Sequence, residues 1–180
     1  LLLINLGTPN SPSYLDVFKY LREFLMDGRV IDVPSFFRFI LVTLIICPIR
    51  SFASSKIYKE LWDLSGDVSP LLKNTEELTN KLNAKQNKYD VHFAMRYQKP
   101  SIKKVLEIIK KSNPSELVVL PLFPHYASAT SGSVFEDLTK KISRAWVIPS
   151  FRYISQYYDH PSFIDAWIDA ARNYNHQDYD

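Results

Sequence analysis

Short apolar runs alternate along this chain with helix-length amphipathic patterns, and that alternation limits its fold more than any other feature. Four runs read as buried strands: "LLLIN" (1–5), "DVHFAM" (90–95), "ELVVLPLF" (116–123) and "SFRYIS" (150–155). Residues 14–26, 55–64, 69–85, 101–111, 133–146 and 161–174 read as helices, most of them with apolar positions near a 3.6-residue period. Ser13 with Asp16, Ser69 before Pro70, and Ser133 with Glu136 mark helix starts. Strands separated by helices pair in parallel through crossovers. The expected fold class is therefore α/β, a doubly wound, open, Rossmann-like parallel sheet. One stretch departs from a simple crossover. Residues 6–89 hold several helices between the first and second strands, so a helical insertion is expected there.

In such a sheet, ligands bind beyond the carboxyl ends of the strands. That places "NLGTPNSP", "MRYQKP", "LPLFPHYASATSGS" and "QYYDHP" on one rim. The third loop presents His125, Tyr126, Ser128, Thr130, Ser131 and Ser133 in nine residues, more polar chemistry than a connection needs. With only four glycines, the chain has no G-x-G-x-x-G after the first strand and no phosphate-loop motif, which disfavours dinucleotides and nucleoside triphosphates. "TSGS" could hold an anion at a helix start, although ordinary N-capping explains it as well. A formal charge of +3, scattered along 180 residues, does not point to nucleic acid. One cysteine, Cys47, excludes an internal disulfide or a multi-cysteine metal site within the chain. His125 lacks a partner at metal-ligating spacing and reads first as a structural histidine.

The longest apolar run, "FILVTLIICPI" (39–49), has 11 residues, where a bilayer span takes about 20. Arg50 follows it at once. An arginine beside an apolar surface suits a greasy ligand with a carboxylate edge, or it simply sits in solvent. Tyr58, Tyr97, Phe123, Tyr126, Tyr157 and Tyr158 lie near the rim and would suit a flat apolar ligand.

Taken together, "LLLINLGTP", "YLREFLMDGRVIDVP", "IYKELW" with "SPLL", "AMRYQKPSI", "LPLFPHYASATSGSV" and "FRYISQYYDHPSFIDA" resemble the ferrochelatases, bacterial type, in family order and over nearly the whole chain. Members of that family insert ferrous iron into protoporphyrin IX to form protohaem. The resemblance implies a chelatase-type α/β domain, residues 1–180, that is the N-terminal half of a two-domain enzyme, with residues 34–50 as the active-site lip. It implies that the catalytic histidine and glutamate belong to a second half that is absent here. No catalytic or metal-binding residue is then expected in this chain. The substrate-binding set it implies is Leu6 against the macrocycle face, Arg50, Tyr58 and Ser69 on the propionate side, and Arg96, Tyr97, Phe123, Thr130 and Tyr157 around the inner pocket. "GDVSPLL" is longer than the family's usual "GSPLL", and "YASAT" shifts the usual hydroxyl pattern by one residue. No cofactor is implied, because Fe2+ is a substrate. The implied partners are protoporphyrin IX, ferrous iron and a membrane surface touched by the lip, with no nucleic acid. The implied location is cytoplasmic, peripheral at the inner membrane. Two alternatives stay open: another tetrapyrrole metal chelatase, and a non-catalytic porphyrin- or haem-binding α/β module.

Overall fold

The computed structural model describes residues 1–144 and 150–172. Four parallel strands form one sheet: β1 (Leu2–Gly7), β2 (His92–Tyr97), β3 (Leu117–Pro121) and β4 (Phe151–Tyr153), in the order β2-β1-β3-β4. The chain thus steps from β1 to one side and returns to the other, so the switch point lies between β1 and β3. Among the described residues, seven α-helices accompany the sheet: α1 (Tyr14–Leu25), α2 (Ser35–Phe39), α3 (Cys47–Ser65), α4 (Pro70–Lys85), α5 (Ile102–Lys111), α6 (Ser133–Ile142) and α7 (Pro161–Ala171).

Side chains alternate across each strand. Leu2 and Ile4 of β1, Ala94 of β2, and Leu117 and Val119 of β3 meet Val105 and Ile109 of α5 and Val134 and Leu138 of α6 in one buried core. The opposite face takes α1 and α4. Phe24 of α1 meets the Tyr97 ring edge-on, and Asn5 of β1 donates to Thr75 Oγ1 of α4 at 3.0 Å. These are the two faces of a doubly wound sheet, as the strand–helix alternation requires.

Local chemistry explains most element ends. Ser13 caps α1 by accepting from Asp16 N, and Ser69 caps α4 by accepting from Leu72 N. Gly66, at φ 80°, closes α3 in the left-handed conformation that glycine adopts at no steric cost. Ser133 and Glu136 depart from expectation. They do not form a capping box, because a π-helical turn, Ser128–Gly132, runs straight into α6. Their side chains point to other partners, described below. The same turn ties Thr130 N and Gly132 N to Ala127 O, so "TSGS" is not an open helix terminus for an anion.

The insertion differs most from the sequence reading. A helix expected over 55–64 extends instead from Ser35 to Ser65 without a break, through α2, a π-helical segment (Ile40–Ile46) and α3. It spans 31 residues and is long and apolar enough to cross a membrane by length and composition, which the 11-residue run alone was not. Pro48 lies directly after the π segment, at the start of α3, and the helix runs on through it. The helices expected to run to 146 and 174 end at Ile142 and Ala171, and their last positions lie outside the described residues.

Candidate functional site

The carboxyl rim is organised by Asp27, which the sequence reading did not single out. Asp27 follows α1, and its Oδ2 accepts from Arg96 Nη2 at 2.7 Å, from Tyr97 Oη at 2.9 Å and from Ser133 Oγ. Its Oδ1 accepts from Arg29 N at 2.8 Å. Arg96 also donates from Nε to Ser133 Oγ at 2.7 Å, and Nη1 lies 3.8 Å from Asp137. One carboxylate therefore joins the end of α1, the end of β2 and the start of α6. Alternation along β2 makes this possible: Arg96 faces the α6 side and Tyr97 the α1 side, and both reach round the strand end.

The electrostatics follow from that geometry. Burial alone would raise the Asp27 pKa, but the hydrogen bonds from Ser133, Arg29 N and Tyr97, with the Arg96 charge, hold it below the ordinary carboxylate value. Burial pushes the Tyr97 phenol up to about 12, with hydrogen bonding to Ser133 and the Arg96 charge opposing it. Asp27 is therefore ionised and Tyr97 neutral across the physiological range.

Arg29, two residues on, forms a second tie. Its Nε pairs with Glu136, and its Nη1 donates to Ser128 Oγ at 3.4 Å. Hydrogen bonds from Lys140 and Arg29 hold the Glu136 pKa low. A Cβ on Gly132 would lie 3.0 Å from Arg29 Nη1 and 3.1 Å from Tyr126 Oη, so a bare backbone lets this guanidinium close on the loop. Several hydroxyls of the 128–133 loop thus have protein partners. Ser133 holds Asp27, Ser128 takes Arg29 and Thr130 donates to Ala127 O at 3.4 Å, while Tyr153 donates to the Ser131 backbone carbonyl at 2.6 Å. The Ser131 hydroxyl is buried without a hydrogen-bond partner among the described residues.

The remaining candidates are distributed as follows. Leu6 is half-buried at the end of β1, beside the β1–β3 switch point. Ser69 is buried, caps α4 and donates to Thr8 Oγ1 at 2.9 Å, which pins α4 to the loop after β1. Tyr58 is half-buried and meets Tyr20 and Trp62 edge-on. Phe123 packs against the sheet core, and Tyr157 donates its backbone N–H to Pro124 O at 2.9 Å while its ring meets Phe163. Tyr97 is 0% exposed, so its ring has no free face for a ligand, and its role in the rim is to hold Asp27. Arg50 is exposed on α3 and makes no ion pair among the described residues. Tyr14, the first residue of α1, donates to Pro48 O at 3.4 Å, which brings the start of α3 against the helix that leaves the β1 loop. His125 is exposed and stacks on Tyr158 with ring centroids 5.1 Å apart.

An open cleft of about 800 Å³ adjoins the Asp27 tie, with Phe18, Arg22, Glu23, Met26, Arg96 and Gln98 in its walls. Among the described residues no three His, Cys, Asp or Glu side chains converge as metal ligands would.

The ferrochelatase family model matches residues 1–179. The chain belongs to the ferrochelatase family. Ferrochelatase 2 of Shewanella oneidensis is 39% identical to it over 176 residues, 96% of this chain and 53% of the relative. A ferrochelatase of Legionella pneumophila is 41% identical over 175 residues, 97% of this chain and 52% of the relative. One from Herminiimonas arsenicoxydans is 39% identical over 169 residues, 92% and 45% respectively. The chain spans about half the length of the curated relatives it matches.

Proposed function

We propose that this chain is one half of a ferrochelatase, an enzyme that inserts ferrous iron into protoporphyrin IX in haem biosynthesis, and that it supplies a porphyrin-binding wall and an apolar lip. The family match over residues 1–179 carries this reading. The geometry supports it in three ways. Leu6 and Phe123 stand at the switch point, where this class of sheet binds ligands. The Ser35–Ser65 helix exposes Phe36, Phe37, Leu41, Leu44, Ile45, Ile49 and Phe52, an apolar surface fit to cover a flat macrocycle or touch lipid. Arg50 lies on the same helix, exposed and with no ion pair among the described residues, and its guanidinium suits a propionate.

In this reading the macrocycle lies against the rim, and Arg50 pairs with a propionate at its edge. The Asp27–Arg96–Ser133 tie fixes the loops that shape the pocket floor. Two pyrrole protons must leave the ring before iron enters, so a base must face the ring nitrogens. We assign that base and the groups that deliver iron to the half of the relatives' length outside this match. Ferrous iron is a substrate and no resident cofactor is invoked. The exposed lip, with Arg50, Lys56 and Lys59 beside it, suits a protein working at an anionic cytoplasmic membrane surface.

The test is binding and turnover in the complete, two-half protein. Arg50→Leu should weaken protoporphyrin binding about 5–30-fold, the worth of a partly solvated charged hydrogen bond. The propionate dimethyl ester should bind both proteins alike. An equal loss for acid and ester would remove the carboxylate clamp from this reading. The 180-residue chain alone should insert no iron, and measurable turnover would return the base to this chain with His125 as its first candidate.

A further inference from the structure

A second cavity lies in the seam between α5 and α6. It encloses about 700 Å³, and sites for small organic molecules hold roughly 300–1,000 Å³. Lys103, Glu107 and Lys110 face it from α5, and Asp137, Lys141 and Arg144 from α6, each set spaced i, i+4 and i+7 along its helix. Leu106, Ile109, Leu117 and Ile142, all members of the buried core, give the cavity its apolar lining. The seam thus runs down to Leu117, the first residue of β3, toward the end of the sheet opposite the rim. Its lining residues do not overlap those of the cleft beside Asp27.

The charge of this seam is its unusual property. With Lys140 it carries five cationic side chains, against Glu107 and Asp137. That excess of three equals the formal charge of the whole chain. Lysines in the last turn of a helix offset its dipole, which accounts for Lys110, Lys140 and Lys141. The dipole does not account for Lys103, in the first turn of α5, or for Arg144, beyond the end of α6. Lys140 and Lys141 pair with Glu136 and Asp137. Lys103, Lys110 and Arg144 make no ion pair among the described residues.

Charge complementarity selects an anion, and the lining selects its body. Lysine stems are aliphatic and only their ends are charged, so the walls are as amphipathic as the floor is apolar. An inorganic anion would leave the stems and Leu106 uncovered. A bilayer presents a flat face, which meets the lysine ends but not the floor of a seam. We propose that the α5–α6 seam binds a small amphipathic carboxylate, an aliphatic chain with one acid group, whose carboxylate is held by Lys110 and Arg144 and whose chain lies along Leu106 and Ile109. This inference does not rest on the porphyrin reading.

The test is calorimetric titration of dodecanoate into the complete, two-half protein carrying Leu44→Ser and Ile49→Ser, which trims the exposed lip as a competing site. One dodecanoate per chain should bind saturably, and protoporphyrin should not displace it. Lys110→Gln with Arg144→Gln should weaken binding about tenfold, the worth of a partly solvated charged hydrogen bond. Lys110→Arg should retain it. Lys104→Gln with Lys111→Gln removes the same charge from exposed positions outside the cavity lining, and should leave the affinity within about twofold. All four of these side chains are exposed, so each variant should melt with the parent. Absence of saturable binding overturns the proposal, as do equal losses in the two double variants, which would reduce the effect to net charge. Displacement by protoporphyrin would place the acid in the porphyrin pocket and overturn it too. Binding by the 180-residue chain that the complete protein lacks would make the seam an interface between the halves. Capture of phosphatidylglycerol vesicles through Lys110 and Arg144, without binding of free dodecanoate, would assign these cations to a membrane instead.

Discussion

Arg96 and Asp27 are 69 residues apart in the chain, and their side chains meet at 2.7 Å. Both are largely withdrawn from water, and Tyr97 and Ser133 complete the shell around the carboxylate. A buried ion pair is a poor source of stability relative to apolar packing, but removing one partner is costly because the other charge is left unpaired. This relationship fixes three elements of the rim at once.

Asp27→Asn should therefore destabilise the protein by about 2–3 kcal/mol, less than a fully buried pair because Asp137 remains near Arg96. For a chain of this size, that is roughly 5–10 °C in melting temperature. A melt within 1 °C of the parent, by about the same scale, would mean that Arg96 re-pairs without loss.

The depressed Asp27 pKa gives a stability dependence of known sign. A carboxylate whose folded pKa lies below its unfolded value contributes stability above the unfolded value and loses it as pH falls through the folded one. Stability should thus be flat above about pH 5 and decline below about pH 4, with Asp27 contributing to the slope. Denaturant melts between pH 7 and 3 should show a shallower acid limb in Asp27→Asn. An identical limb would place the acid sensitivity in other carboxylates.

Gly7 and Gly132 should behave differently on conversion to alanine. At Gly7, φ is 113° and an added Cβ would lie 2.1 Å from the Tyr97 carbonyl oxygen, so backbone must move. Gly7→Ala should cost about 3 kcal/mol or more and disturb the pairing of β1 with β2. At Gly132 the nearest atoms are the ends of Arg29 and Tyr126, which can swing away. Gly132→Ala should cost about 1 kcal/mol or less and release Arg29 from the loop. Denaturation of the two variants side by side decides this, and equal losses would contradict it.

On the long helix, Leu44 and Ile49 face solvent. Replacing both with Ser should leave the melting temperature within about 2 °C, since little packing is lost. It should weaken association with anionic vesicles by about 100-fold or more, at about 1.5–3 kcal/mol for each of the two apolar side chains that lipid would bury. A collapse of the fold would show that this face is core.

The sheet and most helices were legible because their signals are local. Period-2 and period-3.6 patterns, Ser69 before Pro70 and Gly66 after α3 mark elements without reference to the rest of the chain. The long helix was not legible as one piece, because Pro48 and the change from aromatic-rich to polar composition looked like punctuation. Asp27 was missed for a different reason. An Asp–Gly pair after a helix reads as a turn, and its partners, Arg96, Tyr97 and Ser133, are set by the sheet order rather than by spacing. Ser133 was legible only as a cap, a role the preceding π turn removes. The roles of Leu6, Arg50, Tyr58 and Ser69 came from family resemblance, which locates positions but not their partners. The structure shows that Ser69 already has a partner in Thr8.

The π-helical segment Ile40–Ile46 acts as a phase shifter. A π turn holds one residue more than an α turn, and each residue in a helix advances the side chains by about 100°. Everything from Cys47 onward is therefore rotated relative to the Phe36–Phe39 end by about one residue's worth of angle. That offset lets Cys47, Ser51 and Trp62 face inward while Leu44, Ile49 and Phe52 continue the outward surface begun by Phe36 and Phe37. Deleting one residue here would leave the composition almost untouched but turn the inward row out toward solvent. The length of this segment, more than its side chains, sets which way the rest of the helix looks.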